Sequence, residues 1–98
     1  MYQQPWADIN DFPASHGSAL AAELKQELAA SHRLDGVSFS VLAKREDCDE
    51  VLIGTAAGYF IVHLTWSAPD PKGEFPKTKW FADAHALQQQ LAADAAYF

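Results

Sequence analysis

Val51-Leu52-Ile53-Gly54-Thr55-Ala56-Ala57-Gly58-Tyr59-Phe60-Ile61-Val62-His63-Leu64-Thr65-Trp66 decides the fold. Two β-branched and aromatic runs flank a short link of small residues. That pattern predicts an antiparallel hairpin, with Gly58 supplying the positive φ that tight links need. The length of the link sets the register, and a slip of one residue moves every side chain to the other face. A three-residue link pairs Thr55 with Tyr59 and puts Ile53 on the face of Ile61 and His63. An even link sets Ile53 across from Phe60 or Val62. The even link is preferred because it sends both Val51 and Ile53 inward, with Phe60, Val62, Leu64 and Trp66. His63 and Thr65 then point to the opposite face.

Upstream, Val37 to Lys44 alternates, with Val37, Phe39, Val41 and Ala43 apolar and Leu42 the exception. This is the period of a half-buried strand. Arg45 to Glu50 is a charged connector. Downstream, Ser67 to Pro76 is a proline-bearing loop, and Lys77-Thr78-Lys79-Trp80-Phe81 reads as a lysine-guarded edge strand.

Helices flank the strands. One is expected from Ser18, as N-cap, to about Ser31-His32, with Leu20, Leu24 and Leu28 as its apolar stripe. Ala19, Ala21 and Ala22 favour it by propensity. The second starts after Asp83 as cap, with Leu87 and Leu91 on its stripe. Asp35-Gly36 marks a turn. Residues 1–17 read as an irregular arm that docks Trp6 or Phe12, and residues 18–98 as one α+β domain. The expected architecture is a three- to four-stranded antiparallel meander with both helices packed on one face, in the order α-β-β-β-(β)-α. The other face, bearing Tyr59, Ile61, His63, Thr65, Ser38 and Ser40, with Leu42 and Leu52 as apolar islands, is expected to be solvated, covered by the arm, or open for binding.

The chain has 98 residues, an apolar fraction of 49% and twelve aromatics, enough for a core without covalent staples. Its single cysteine, Cys48, closes no internal disulfide and fits a reducing compartment. No apolar run approaches the ~20 residues that span a bilayer, and the first residues lack the basic and apolar regions of a secretory signal. A cytoplasmic, bacterial protein is expected, without membrane association. The formal net charge of −6 argues against nucleic-acid binding, which depends on neutralising phosphates.

His63-Leu64-Thr65-Trp66-Ser67, the proline-bearing loop and Phe75-Pro76-Lys77-Thr78-Lys79-Trp80-Phe81 together resemble a group of small uncharacterised bacterial proteins with an HLTWS…P…WPRT-like segment. The resemblance covers roughly residues 44–81, including the acidic connector, and implies no mechanism. Phe75 stands where a tryptophan is common in that group, and Lys77 where an arginine is common, which keeps the charge but loses the bidentate fork. The helix–sheet–helix order also resembles the frataxin-like two-layer fold, whose acidic first helix is associated with iron. Here that helix offers only Glu23 and Glu27, so the likeness is one of topology alone.

No chemical motif stands out. Asp47-Cys48-Asp49-Glu50 lacks the alternation and central glycine of a calcium loop and reads as a solvated turn. Acids around Cys48 raise a thiol pKa, which disfavours a nucleophile. His16, His32, His63 and His85 share no metal-ligand spacing, and neither a Gly-x-Ser-x-Gly elbow nor a phosphate-binding glycine loop occurs. No catalytic residue, metal or cofactor is expected. The candidate binding residues are His63, Thr65, Trp66, Lys77, Lys79 and Trp80, since aromatics beside cations recognise anionic or carbonyl-rich groups. The expected function is a non-enzymatic protein-interaction module that uses the open sheet face and the 67–76 loop, with a protein or a second copy as partner. The alternative is a small-ligand or enzymatic pocket around His63 and Ser67.

Overall fold

A computed structural model describes residues 2–97. Strand β1 is Trp6–Asp8, followed by a 3-10 turn at Ile9–Asp11 and helix α1 at Ala14–Glu27. Strands β2 (Ser40–Arg45), β3 (Glu50–Thr55), β4 (Gly58–His63) and β5 (Lys77–Phe81) come next, and helix α2 (Ala84–Tyr97) closes the order. The five strands form one antiparallel meander in the order β1-β2-β3-β4-β5. The α+β class, the meander and the terminal helices are therefore as the sequence led us to expect, with β1 as an added strand.

The central hairpin takes the even link. Thr55 pairs with Gly58, Ile53 with Phe60 and Val51 with Val62, leaving Ala56-Ala57 as a two-residue turn. Thr55 stabilises it twice: its hydroxyl donates to the Gly58 carbonyl and accepts from the Ala57 N–H. Val51, Ile53, Phe60, Val62 and Leu64 pack with Leu20 and Leu24 of α1 and with Leu34.

The helices do not share a face. Leu87 and Leu91 of α2 pack on Ala43, Leu52 and Ile61, together with Trp6, and these strand residues point away from α1. The sheet is thus the middle of three layers, which corrects the two-layer arrangement and removes the likeness to the frataxin-like fold. The physical reason lies in the strands themselves. Val51-Leu52-Ile53 and Phe60-Ile61-Val62 are apolar at both parities, and each of these six side chains is buried. A strand that is apolar on both faces needs cover on both.

A bulge explains the irregularity at Leu42. Val41 pairs with Ile53 but Ala43 pairs with Leu52, so Leu42 is the extra residue. A bulge of this kind shifts the alternation. Phe39 and Val41 pack on the α1 side, and Leu42 and Ala43 on the α2 side. Gly54 makes room for it, because a Cβ there would sit 3.1 Å from Leu42 Cδ1.

Other boundaries shift for local reasons. Helix α1 begins at Ala14 behind Pro13, which suits a helix start by its fixed φ. Ser18 lies inside it, its hydroxyl donating back to the Ala14 carbonyl. The helix ends at Glu27, before the expected Ser31-His32. Asp83 caps α2, accepting from the Ala86 N–H at 2.9 Å. The arm is built into β1, the 3-10 turn and the first turn of α1 from Trp6 onward, and Trp6 docks as expected, 2% exposed.

Candidate interaction edge

Strand β4 ends at His63, and Trp66 adopts φ 56°. This left-handed conformation is uncommon for a residue with a side chain, and a buried acid holds it. Glu27 Oε1 accepts from the Thr65 N–H and hydroxyl, both at 2.8 Å, and Oε2 accepts from the Trp66 N–H at 2.9 Å. Burial pushes the Glu27 carboxyl toward the neutral form. Its hydrogen bonds, to Glu23 and then to Thr65 and Trp66, outweigh that and hold it below the ordinary glutamate range. Glu23 is raised, chiefly through its hydrogen bond with Glu27. Trp66 consequently leaves the core, where the strand period alone would put it, and is 55% exposed.

The rest of the loop is tied down as well. Asp70 accepts from the N–H groups of Lys72, Glu74 and Phe75. The bond from the Lys72 N–H, the strongest influence, together with those from Glu74 and Phe75, keeps its carboxyl low against the opposing effect of desolvation. His32 is buried, and its Nδ1 accepts from the Leu34 N–H at 3.0 Å. The ring proton therefore sits on Nε2, which donates to the Pro76 carbonyl at 2.8 Å. The segment that follows α1 thus anchors the chain just before β5.

Strand β5 pairs with β4 alone and is one edge of the sheet. Phe60 lies opposite Trp80, Ile61 opposite Lys79, and His63 opposite Lys77. Lys77 and Lys79 hence project on the α2 side with His63, and Trp80 projects on the α1 side with Phe60. Trp80 is 50% exposed, with its indole N–H bonded to the Ala57 carbonyl. Lys77 Nζ lies 4.8 Å above the centroid of the exposed Phe75 ring. Among the described residues, neither Lys77 nor Lys79 is in a salt bridge.

The six candidate residues therefore separate. Lys77, Lys79 and Trp80 share the β5 edge, and His63 adjoins it. Thr65 is engaged inward by Glu27. Trp66 lies beyond the far end of β4 from Trp80, so the two tryptophans form no common platform. Ser67 donates to the Thr65 carbonyl. His63 Nδ1 stands 3.9 Å from Glu50 Oε2 on the exposed surface. Among the described residues, those lining the principal concavities include neither His63 nor Ser67. The largest, about 840 Å³, is a shallow depression at the β3–β4 turn beside the start of α2.

The face expected to be open is covered by α2 and Trp6, and a polar network seals it. Trp6 Nε1 donates to Asp94 Oδ2, and Gln90 Nε2 donates to Asp94 Oδ1. Arg45 reaches Asp94, Asp47 and Glu50 at 3.3, 2.6 and 3.2 Å. The acidic connector is thus organised around one guanidinium, and among the described residues no cluster of His, Cys, Asp and Glu is arranged to hold a metal. The Cys48 thiol is pushed up, mainly by burial and further by Glu50, against lowering by the Glu50 backbone.

Sequence reasoning missed Glu27, Asp94 and Arg45. A signal was present. Leu20, Leu24 and Glu27 are spaced i, i+4, i+7, and so are Leu87, Leu91 and Asp94, so each helix carries an acid on its apolar stripe. Comparisons with protein-family models, with curated proteins and with solved structures find no match to this chain.

Proposed function

We propose that this protein is a non-enzymatic interaction module that engages a protein partner along β5 and the adjoining 67–76 loop. One observation carries the reading. With both sheet faces covered, β5 is the five-residue edge at which the sheet ends, and it presents exposed Lys77, Lys79 and Trp80. The opposite edge, β1, has only three residues and turns Trp6 into the core. Short edges resist pairing, and longer ones accept an added strand.

Site-specific photo-crosslinking in cells tests this. A photoreactive residue replacing Lys79 should give a discrete adduct, and one replacing Gln89 on exposed α2 should not. Equal labelling from both positions, or none from either, would end the proposal.

A further inference from the structure

We infer that the occupant of the β5 edge is an extended acidic segment of another protein, added as a sixth strand; this rests on β5 being the interaction edge. The argument begins with charge. The chain carries a net −6, yet β5 contains two lysines and no acid. Both lysines are exposed and on one face, since Lys79 pairs with Ile61 and Lys77 with His63. Of the nearby acids, Asp70 is engaged by loop N–H groups and Asp47 and Glu50 by Arg45, while Glu74, exposed and three residues before Lys77, lies outside the strand. The edge is a cationic strip on an acidic protein.

A second copy fits this strip poorly. A two-fold antiparallel pairing that used all five residues of β5 would set Lys79 directly against Lys79, and like charges opposite one another destabilise a sheet. Two acidic protomers would also repel. An acidic strand reverses both effects. Side chains on one face of a strand recur every second residue, about 7 Å apart. Carboxylates at alternate positions of the incoming strand therefore meet Lys77 and Lys79 together. The residue between them falls on the other face, beside Thr78 and the exposed indole of Trp80. An aliphatic or aromatic side chain there covers apolar surface that water now contacts. The recognition pattern is acid, apolar, acid in extended conformation.

The test uses the full chain and labelled short peptides read by fluorescence anisotropy. The probes are an alternating glutamate–valine peptide, the same peptide with proline at its centre, and an alternating lysine–valine peptide. The acidic probe is expected to bind, more weakly as salt rises. The proline probe, equal in charge but unable to complete the ladder, should lose binding by about tenfold or more. A variant combining Lys77→Glu and Lys79→Glu should lose the acidic probe and gain the lysine–valine one, a reversal that a misfolded chain does not produce. No binding of the acidic probe, or equal binding of the proline probe, would overturn the inference. So would a micromolar dimer in sedimentation that Lys79→Ala strengthens, which assigns the edge to a second copy. If the acidic probe fails while crosslinking from position 79 still yields a discrete adduct, the edge stands and only the occupant's chemistry falls. If both fail, the edge reading falls too.

Discussion

The Trp6 indole N–H donates to Asp94 Oδ2 at 2.9 Å, joining side chains 88 residues apart in a buried setting. This contact fastens β1 to α2 across the face that Leu52 and Ile61 present. Asp94→Ala leaves the indole N–H and one side of Arg45 without their acceptor. An unsatisfied buried donor costs about 1–3 kcal/mol, so urea denaturation should show a loss of that size. Trp6→Phe removes the donor and the ring's outer edge together, and leaves Asp94 paired with Gln90 and Arg45. A loss at Asp94→Ala of only a few tenths of a kcal/mol would show that the network contributes little.

Glu27 makes stability depend on acid. Its folded carboxyl is held low, so its contribution is complete above the ordinary glutamate range and disappears as pH falls through the folded value. Asp47, through Arg45, and Asp70, through loop N–H groups, act with the same sign. Glu23, which is raised, opposes them, because folding disfavours its ionised form. Glu27→Gln keeps the shape but replaces one acceptor oxygen with an NH₂ facing N–H or O–H donors. We expect a loss of about 2 kcal/mol at neutral pH, shrinking as pH falls below the ordinary glutamate range and through the lowered folded value. An undiminished difference between the two proteins in acid would contradict this assignment.

Gly58→Ala tests the hairpin. Gly58 has φ 122°, and a Cβ there would lie 2.5 Å from the Phe81 carbonyl oxygen. Both the conformation and the space exclude a side chain. Destabilisation above about 1 kcal/mol is expected, with amide exchange fastest in β5. Wild-type stability in this variant would mean that the close approach of β5 to the turn is absent.

Cys48 is expected to be a slow thiol. Burial, reinforced by Glu50, raises its pKa, so little thiolate exists near neutral pH. Alkylation with iodoacetamide at pH 7 should run slower than for free cysteine and speed up in denaturant. Faster labelling in the folded state would point to an activated thiol.

Much of this was legible in the residues. The two β-branched and aromatic runs of 51–66 around a link of small residues gave the hairpin, and the preference for burying both Val51 and Ile53 gave the parity of its link. The lysines of 77–81 marked an edge, and Asp83 marked a helix start. The candidate residues were less legible, because a strand's period continues on paper past the point where the chain leaves the sheet. Trp66 follows the inward parity of Phe60, Val62 and Leu64, yet Glu27, from a helix 38 residues earlier, turns the Thr65–Trp66 backbone outward. Helix α1 itself starts four residues before the cap that composition suggested, since Pro13 serves where Ser18 was expected.

The sequence by itself determined the two helices, strands β2 to β5 and their order, because periodicity, caps and turn residues act over a few neighbouring positions; β1, in the arm read as irregular, emerged only through its pairing with β2. It also held the evidence that both sheet faces are apolar, in Val51-Leu52-Ile53 and Phe60-Ile61-Val62. Only the tertiary structure decided which helix covers which face. An amphipathic helix carries an apolar stripe but no address, and the address came from pairings distant in the chain: Glu27 to Thr65 and Trp66, and Asp94 to Trp6 and Arg45. Once α2 had taken the second face, the surface left for a partner was the edge at Lys77, Lys79 and Trp80.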